Sequence, residues 1–241
     1  MAWHAKAKGG YGRDSTEGHD NALEMTNTLK TSRGWITKAC AAMLGNSAGE
    51  GGINPWRWES DNVPTYNQFL AWSESAPMKH GYGLFGFTPA KSYINDSNAS
   101  KYASLGYAPN FSDRPGKPQD GAAQTAYFSD TVESAWAGGL YNYYKDDFAA
   151  IGVDIDDFYY ITYAEFAAGK KDGKDLTIAQ LTGAFELKYE KPSDTAAASS
   201  YKYRVQSAQW WYEFLAGHPE PPGPTPTETR SLPIYFYLRR F

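Results

Sequence analysis

Residues 43–61, MLGNSAGEGGINPWRWESD, start as the end of an apolar helix and then break into glycines, with one carboxylate, Glu50, at the break. Upstream, Ile36, Cys40, Met43 and Ser47 recur at steps of four, three and four, which is one face of a helix over 35–49. One more step of three lands on Glu50. Two effects disfavour charge on a carboxylate there: removal from water, and the partial negative charge of the unsatisfied carbonyls at a helix C-terminus. Both raise its pKa, and a carboxyl still protonated near neutral pH can act as a general acid. Gly49, Gly51 and Gly52 leave room for a substrate or another backbone to approach. The plainer reading is a solvated helix end with the glycines as its C-cap.

Acid-catalysed cleavage of a glycosidic bond commonly uses a second carboxylate. Asp61 and Glu59 both lie within a short loop's reach, and Asp61, further past the glycines, ranks first. Arg57 can instead pair with either one as an ion pair. Sugar binding needs flat apolar faces with polar edges, and the following stretch supplies Trp56, Trp58, Tyr66, Trp72, Tyr82, Phe85 and Phe87. About half of these are expected to serve the core.

Working outward, residues 1–18 are polar and Gly-rich and read as an arm, with a helix expected from 19 to 32. From 51 to 128 periodicity is lost among Gly, Pro, Asn and aromatics, too long for an idle loop in a compact domain. Helices are expected again over 131–150, on a stripe of Val132, Trp136, Leu140 and Tyr143, and over 175–190, ending before Pro192. A last helix over 194–216 carries the stripe Tyr201, Val205, Ala208, Tyr212 and Leu215, with Asp194 as N-cap and Gly217 as C-cap. In residues 217–241 six prolines favour extended backbone, and the apolar-basic end SLPIYFYLRRF reads as a peptide that docks on a partner chain or as a loose tail.

Composition narrows the classes. The 241 residues, 41% of them apolar, are enough for a real core, and 23 basic against 27 acidic residues in mixed order leave no basic face for nucleic acid. The single cysteine, Cys40, sits on an apolar helical stripe, which excludes a disulfide within the chain and argues against a cysteine peptidase. His4, His19, His80 and His218 have no partner at metal-ligand spacing, so neither a metal nor another cofactor is expected. No apolar run is long enough to span a bilayer, and the N-terminus lacks a secretory h-region, which suggests synthesis in a host cytoplasm.

Two segments carry a resemblance. LGNSAGEGGINPWRWESD (44–61) resembles the LGN…ES.(G)NP motif, and GYGLFGFTP (81–89) the GYGL.Q(W/F)TP motif, of the phage tail lysozyme family, within the lysozyme-like superfamily. WHAKAKGGYGRDSTEGHDNA upstream, and FELKYEKP with a helix through Arg204 and AQWWYEF downstream, extend the likeness over residues 3–216. The resemblance implies a mainly α, lysozyme-like α+β domain over 19–216, with a small β or irregular region flanking a cleft. It matches Glu50 to the catalytic glutamate and Gly83, Leu84 and Thr88 to the cleft floor, with Asn46 one turn before Glu50 and its amide facing the cleft. Trp58 and Tyr82 are the expected sugar contacts. Gly51 stands where serine is usual and Gly86 where glutamine is usual.

The activity so implied is a peptidoglycan muramidase in a virion tail, cleaving the bond between N-acetylmuramic acid and N-acetylglucosamine as DNA enters the host. Residues 217–241 would then join it to other tail proteins. A lytic transglycosylase, a non-catalytic wall-binding tail protein and a holin-dependent endolysin are the alternatives.

Overall fold

The computed structural model describes residues 2–50, 52–74, 80–137, 141–191 and 194–218; of the side chains of 48–50, 73–74 and 194–196 nothing is said. Residues 219–241, and with them the expected docking peptide, lie outside the described residues.

Helix α1 (Thr16–Arg33) starts three residues before the expected point, because the Ser15 hydroxyl accepts from the Gly18 N–H and caps it. Helix α2 (Thr37–Glu50) follows and forms the axis of the fold. The sequence suggests one buried face, yet every residue from 39 to 47 is buried. A helix apolar on all sides is a core helix, and α1 together with two C-terminal helices surrounds this one. Cys40 is buried here.

After α2 the chain is irregular until α3 (Tyr66–Glu74), and further on comes α4 (Asp96–Lys101). Between them, antiparallel bridges pair Trp58 with Tyr82 and Tyr82 with Phe87, so the two motif segments meet as a small β-like lobe. Its interior is aromatic: Trp58, Phe69, Tyr82, Phe85, Phe87, Tyr93 and Phe111 are all buried, and full burial of such a side chain contributes roughly 1.5–3 kcal/mol.

Helix α5 (Asp120–Ala135) runs beneath this lobe. Its position corrects the expected helix over 131–150. The helix begins inside the stretch read as irregular, and it ends at Ala135, with Trp136 leaving helical geometry and donating its indole N–H to the Ile161 carbonyl. A separate helix, α6 (Tyr141–Ala150), exposes Tyr143, while Leu140 lies outside the described residues. Short helices α7 (Asp156–Tyr159) and α8 (Tyr163–Ala168) lead to an antiparallel pair, β1 (Lys170–Lys171) and β2 (Lys174–Asp175).

Helix α9 (Ile178–Phe185) opens with a capping box between Thr177 and Gln180 and continues as a π-helical turn over Glu186–Glu190, so the expected span 175–190 is helical from Ile178, with Asp175 in β2. Helix α10 (Asp194–Ala216) matches the expected span, although Asp194 is its first residue rather than its cap. It packs closely along α2 because of Gly45: a Cβ there would lie 2.6 Å from Ala208 Cβ and 2.7 Å from the Arg204 carbonyl. Among the described residues the architecture is mainly helical with a small two-stranded sheet, as expected.

The N-terminal arm is docked. Asn21 accepts from the His4 N–H and donates to the carbonyls of His4 and Ile53. Asn54 accepts from Lys6 N–H and donates to the Lys6 and Gly9 carbonyls, both at 2.7 Å. Tyr11 donates to the Gly52 carbonyl. The arm therefore lies along the loop that leaves α2.

Candidate active site

Glu50 is the last residue of α2, as the sequence requires; its side chain, and Gly51 entirely, lie outside the described residues. The loop turns back at once, with the Gly52 N–H on the Ser47 carbonyl, and runs through Ile53 and Asn54 to Arg57. There it joins the second motif: Gly83 donates to the Arg57 carbonyl at 2.8 Å, and Glu59 N–H to the Gly81 carbonyl at 3.0 Å. A cavity of about 230 Å³ opens at this junction, lined by Arg57, Glu59, Ser60, Gly81, Gly83, Gly86 and Thr88. A second cavity, about 510 Å³, shares Gly86 and Thr88 and extends to Tyr127, Thr131, Tyr189 and Glu190. Gly86 and Thr88 thus stand on the ridge between two adjoining hollows. Space is open where a Gly86 side chain would be, so the absence of the usual glutamine widens both.

The expected second carboxylates have different positions. Glu59 is exposed, lines the smaller cavity, and accepts the Gly81 N–H at 2.9 Å through Oε2. Asp61 is partly covered, and its Oδ1 accepts the Gly9 N–H at 2.8 Å and lies 3.5 Å from Arg57 Nε. The carboxylate ranked first from sequence is therefore the one that ties down the arm.

Several expected sugar contacts are core residues. Trp58 is buried at 1% exposure, its indole N–H donating to the Asn110 carbonyl at 2.7 Å. Tyr82 is wholly enclosed, and its hydroxyl bonds Asp120 and the Asn110 N–H. Both close the lobe from within, since an aromatic in an irregular stretch carries no periodicity to say which way it faces. Leu84 is likewise buried. Thr88 is exposed, with its hydroxyl donating to the Gly86 carbonyl at 2.8 Å.

Asn46 also faces inward. Its amide donates to the Ala42 and Thr182 carbonyls, and its Oδ1 accepts from Arg204 at 3.1 Å. Arg204 pairs in turn with Glu186, Nε to Oε1 at 3.0 Å, and both are withdrawn from water. The Ser200 hydroxyl donates to that same Glu186 oxygen. A buried polar knot thus joins α2, one turn before Glu50, to the π-helical turn and α10.

A second buried carboxylate, Asp120, sits under the lobe. Its oxygens accept from Tyr82 and Tyr93 hydroxyls, the Ala108 N–H and the Gln124 amide. Burial pushes its pKa up, and those four donors oppose the shift. The same burial, reinforced by the facing carboxylate, raises the Tyr82 phenol well above its ordinary value, so it stays a protonated donor. Sequence reasoning singled out neither Asp120 nor Gln124, because buried polar residues interrupt the apolar pattern that marks a helix face.

Among the described residues no helix is long and apolar enough to cross a membrane, and no three His, Cys, Asp or Glu side chains converge as metal ligands.

The chain thus falls in the class of mainly helical domains with a small lobe whose hollows lie beside the loop leaving the central helix. Comparison with family models places it more closely: residues 20–215 match the phage tail lysozyme model, and the chain belongs to that family. Its general activity is accordingly peptidoglycan-lytic, of the phage-tail kind.

Proposed function

We propose that the protein is a muramidase that hydrolyses the β-1,4 bond between N-acetylmuramic acid and N-acetylglucosamine, with Glu50 as the general acid. The observation that carries this reading is the junction of the two motifs: the loop leaving α2 at Glu50 and the 81–88 segment wall one cavity. In this reading Glu50, at the C-terminal end of a core helix, gives its proton to the leaving oxygen. Glu59 is the better placed second carboxylate, since it lines the cavity while Asp61 Oδ1 is engaged by the arm. It would stabilise the oxocarbenium-like state or orient water. In this reading the exposed Thr88 and the open Gly86 border the sugar path, Gly83 and Leu84 shape its floor, and the enzyme works from a virion tail on the host wall, attached to neighbouring tail proteins through 217–241.

A second reading, lytic transglycosylase, gains support from the engagement of both candidate carboxylates with backbone N–H groups. That chemistry needs Glu50 alone and leaves 1,6-anhydro sugar ends. Turbidity clearing of purified cell walls by the wild type, with loss of clearing in Glu50→Gln, is the expected result. Equal clearing by both removes Glu50 from the mechanism. Mass spectrometry of the fragments separates the reactions, reducing ends marking hydrolysis and anhydro ends transglycosylation. Glu59→Gln slows hydrolysis by about a hundredfold if Glu59 has the second role.

A further inference from the structure

The two motifs are far apart in sequence, and a third element joins them. On α5, the Gln124 amide nitrogen donates to the Pro55 carbonyl at 2.7 Å, in the loop after Glu50. Its oxygen accepts the Leu84 N–H at 2.8 Å, in the middle of GYGLFGFTP. The remaining amide hydrogen goes to Asp120 Oδ2 at 2.7 Å, which fixes the amide's orientation, because a carboxylate accepts and does not donate. Gln124 is fully buried and all three contacts are short.

Gly83 is shaped to this side chain. A Cβ at Gly83 would lie 2.1 Å from Gln124 Oε1, and its φ of +84° is itself a glycine conformation. Gly83 of the second motif thus makes room for a glutamine forty-one residues later.

We propose that Gln124 is a positioning residue of the site: beside the direct Arg57–Gly83 and Glu59–Gly81 bonds, its carboxamide, oriented by Asp120, holds the loop after Glu50 against the 81–88 segment behind the cavity and so fixes the place of the glycan between them. This rests on the muramidase reading for its catalytic consequence. Gln124 touches no substrate and acts through Pro55 and Leu84. Hydrolysis is sensitive to such placement, and an error of about 1 Å costs up to a hundredfold in rate.

The test uses the full chain and three variants, Gln124→Leu, Gly83→Ala and the double variant, with Ser129→Ala as a control. Ser129 is buried on the same helix but bonds Ser32 and Arg33, away from both motifs. Rates on soluble glycan strands are measured well below each melting temperature, and amide exchange is followed by mass spectrometry. Gln124→Leu is expected to lower kcat by about tenfold to a hundredfold with KM within about twofold, and to raise exchange in both 52–58 and 81–88. Ser129→Ala loses stability without that kcat change. Gly83→Ala displaces the amide and gives the same signature, and the double variant is no worse than the worse single, because both act on one contact. If Gln124→Leu does not fold, Gly83→Ala carries the test. The proposal is overturned if kcat holds, if the loss appears in KM, if the single effects add, or if exchange rises in one segment only. A wild type that cleaves no glycan removes the functional reading, while exchange still decides whether Gln124 bridges the walls.

Discussion

Arg204 and Glu186 form an ion pair at 3.0 Å with both side chains withdrawn from water, and the same guanidinium holds Asn46 Oδ1 at 3.1 Å. Taking one partner away strands a buried charge, whereas replacing both with apolar residues of similar volume avoids that penalty. Arg204→Met is expected to destabilise the protein by about 3–5 kcal/mol in urea unfolding, and Arg204→Met with Glu186→Leu to regain much of the loss. Equal losses in the single and the double variant would show that the charge itself is not what matters.

The close crossing of α2 and α10 gives a packing prediction. Gly45→Ala puts a methyl 2.6 Å from Ala208 Cβ and 2.7 Å from backbone, so the helices must part. The expected cost is about 1–3 kcal/mol, against a helix propensity that by itself favours alanine over glycine. A variant more stable than the wild type in thermal unfolding contradicts this crossing.

Asp120 predicts a pH effect of defined sign. Burial raises its folded-state pKa above 3.8, so between those values the folded protein binds more protons than the unfolded chain. Its contribution to stability is therefore greatest below the unfolded pKa and falls as pH rises through the folded one. Asp120→Asn cannot titrate. The stability of the wild type relative to this variant should thus increase on acidification from neutral pH toward 4, measured by urea unfolding at a series of pH values. A difference independent of pH would refute it.

Asp61 is expected to behave as an anchor. Asp61→Asn keeps an acceptor for the Gly9 N–H, so wall clearing should stay within about threefold of wild type. Asp61→Leu removes that acceptor and should speed proteolytic cutting in residues 5–12. A hundredfold loss of clearing in Asp61→Asn, without faster cutting, would return Asp61 to the chemistry.

What could be read from the sequence divides along physical lines. Helices α2, α9 and α10 have apolar residues at helical spacing and legible ends, so their spans were accessible, although the extent of burial of α2 was not, since periodicity shows the strongest face and not the others. Helix α5 was displaced because Asp120, Gly121, Gln124 and Thr125 form part of its buried face. Short helices α3 and α4 have too few turns to show a period. At the site, the helix end at Glu50 and the 81–88 segment are local in sequence, so their places in the fold were legible. Trp58, Tyr82 and Asn46 were misplaced because residue type alone does not give direction in a loop or around a core helix. Gln124 gave no signal of its own; Gly83, whose backbone it restricts, was the trace it left.

The docked arm gives the molecule a path for mechanical load. Tension on the chain at His4 passes through Asn21 of α1 to Ile53, and at Lys6 and Gly9 to Asn54, so that it reaches the loop that follows Glu50 at two successive residues. A pull on that side loads the loop after Glu50, whereas a pull at His218 runs along α10, which packs on α2, α9 and α6. The two ends of the domain are therefore mechanically unequal, one coupled to the loop that follows Glu50 and the other to the scaffold.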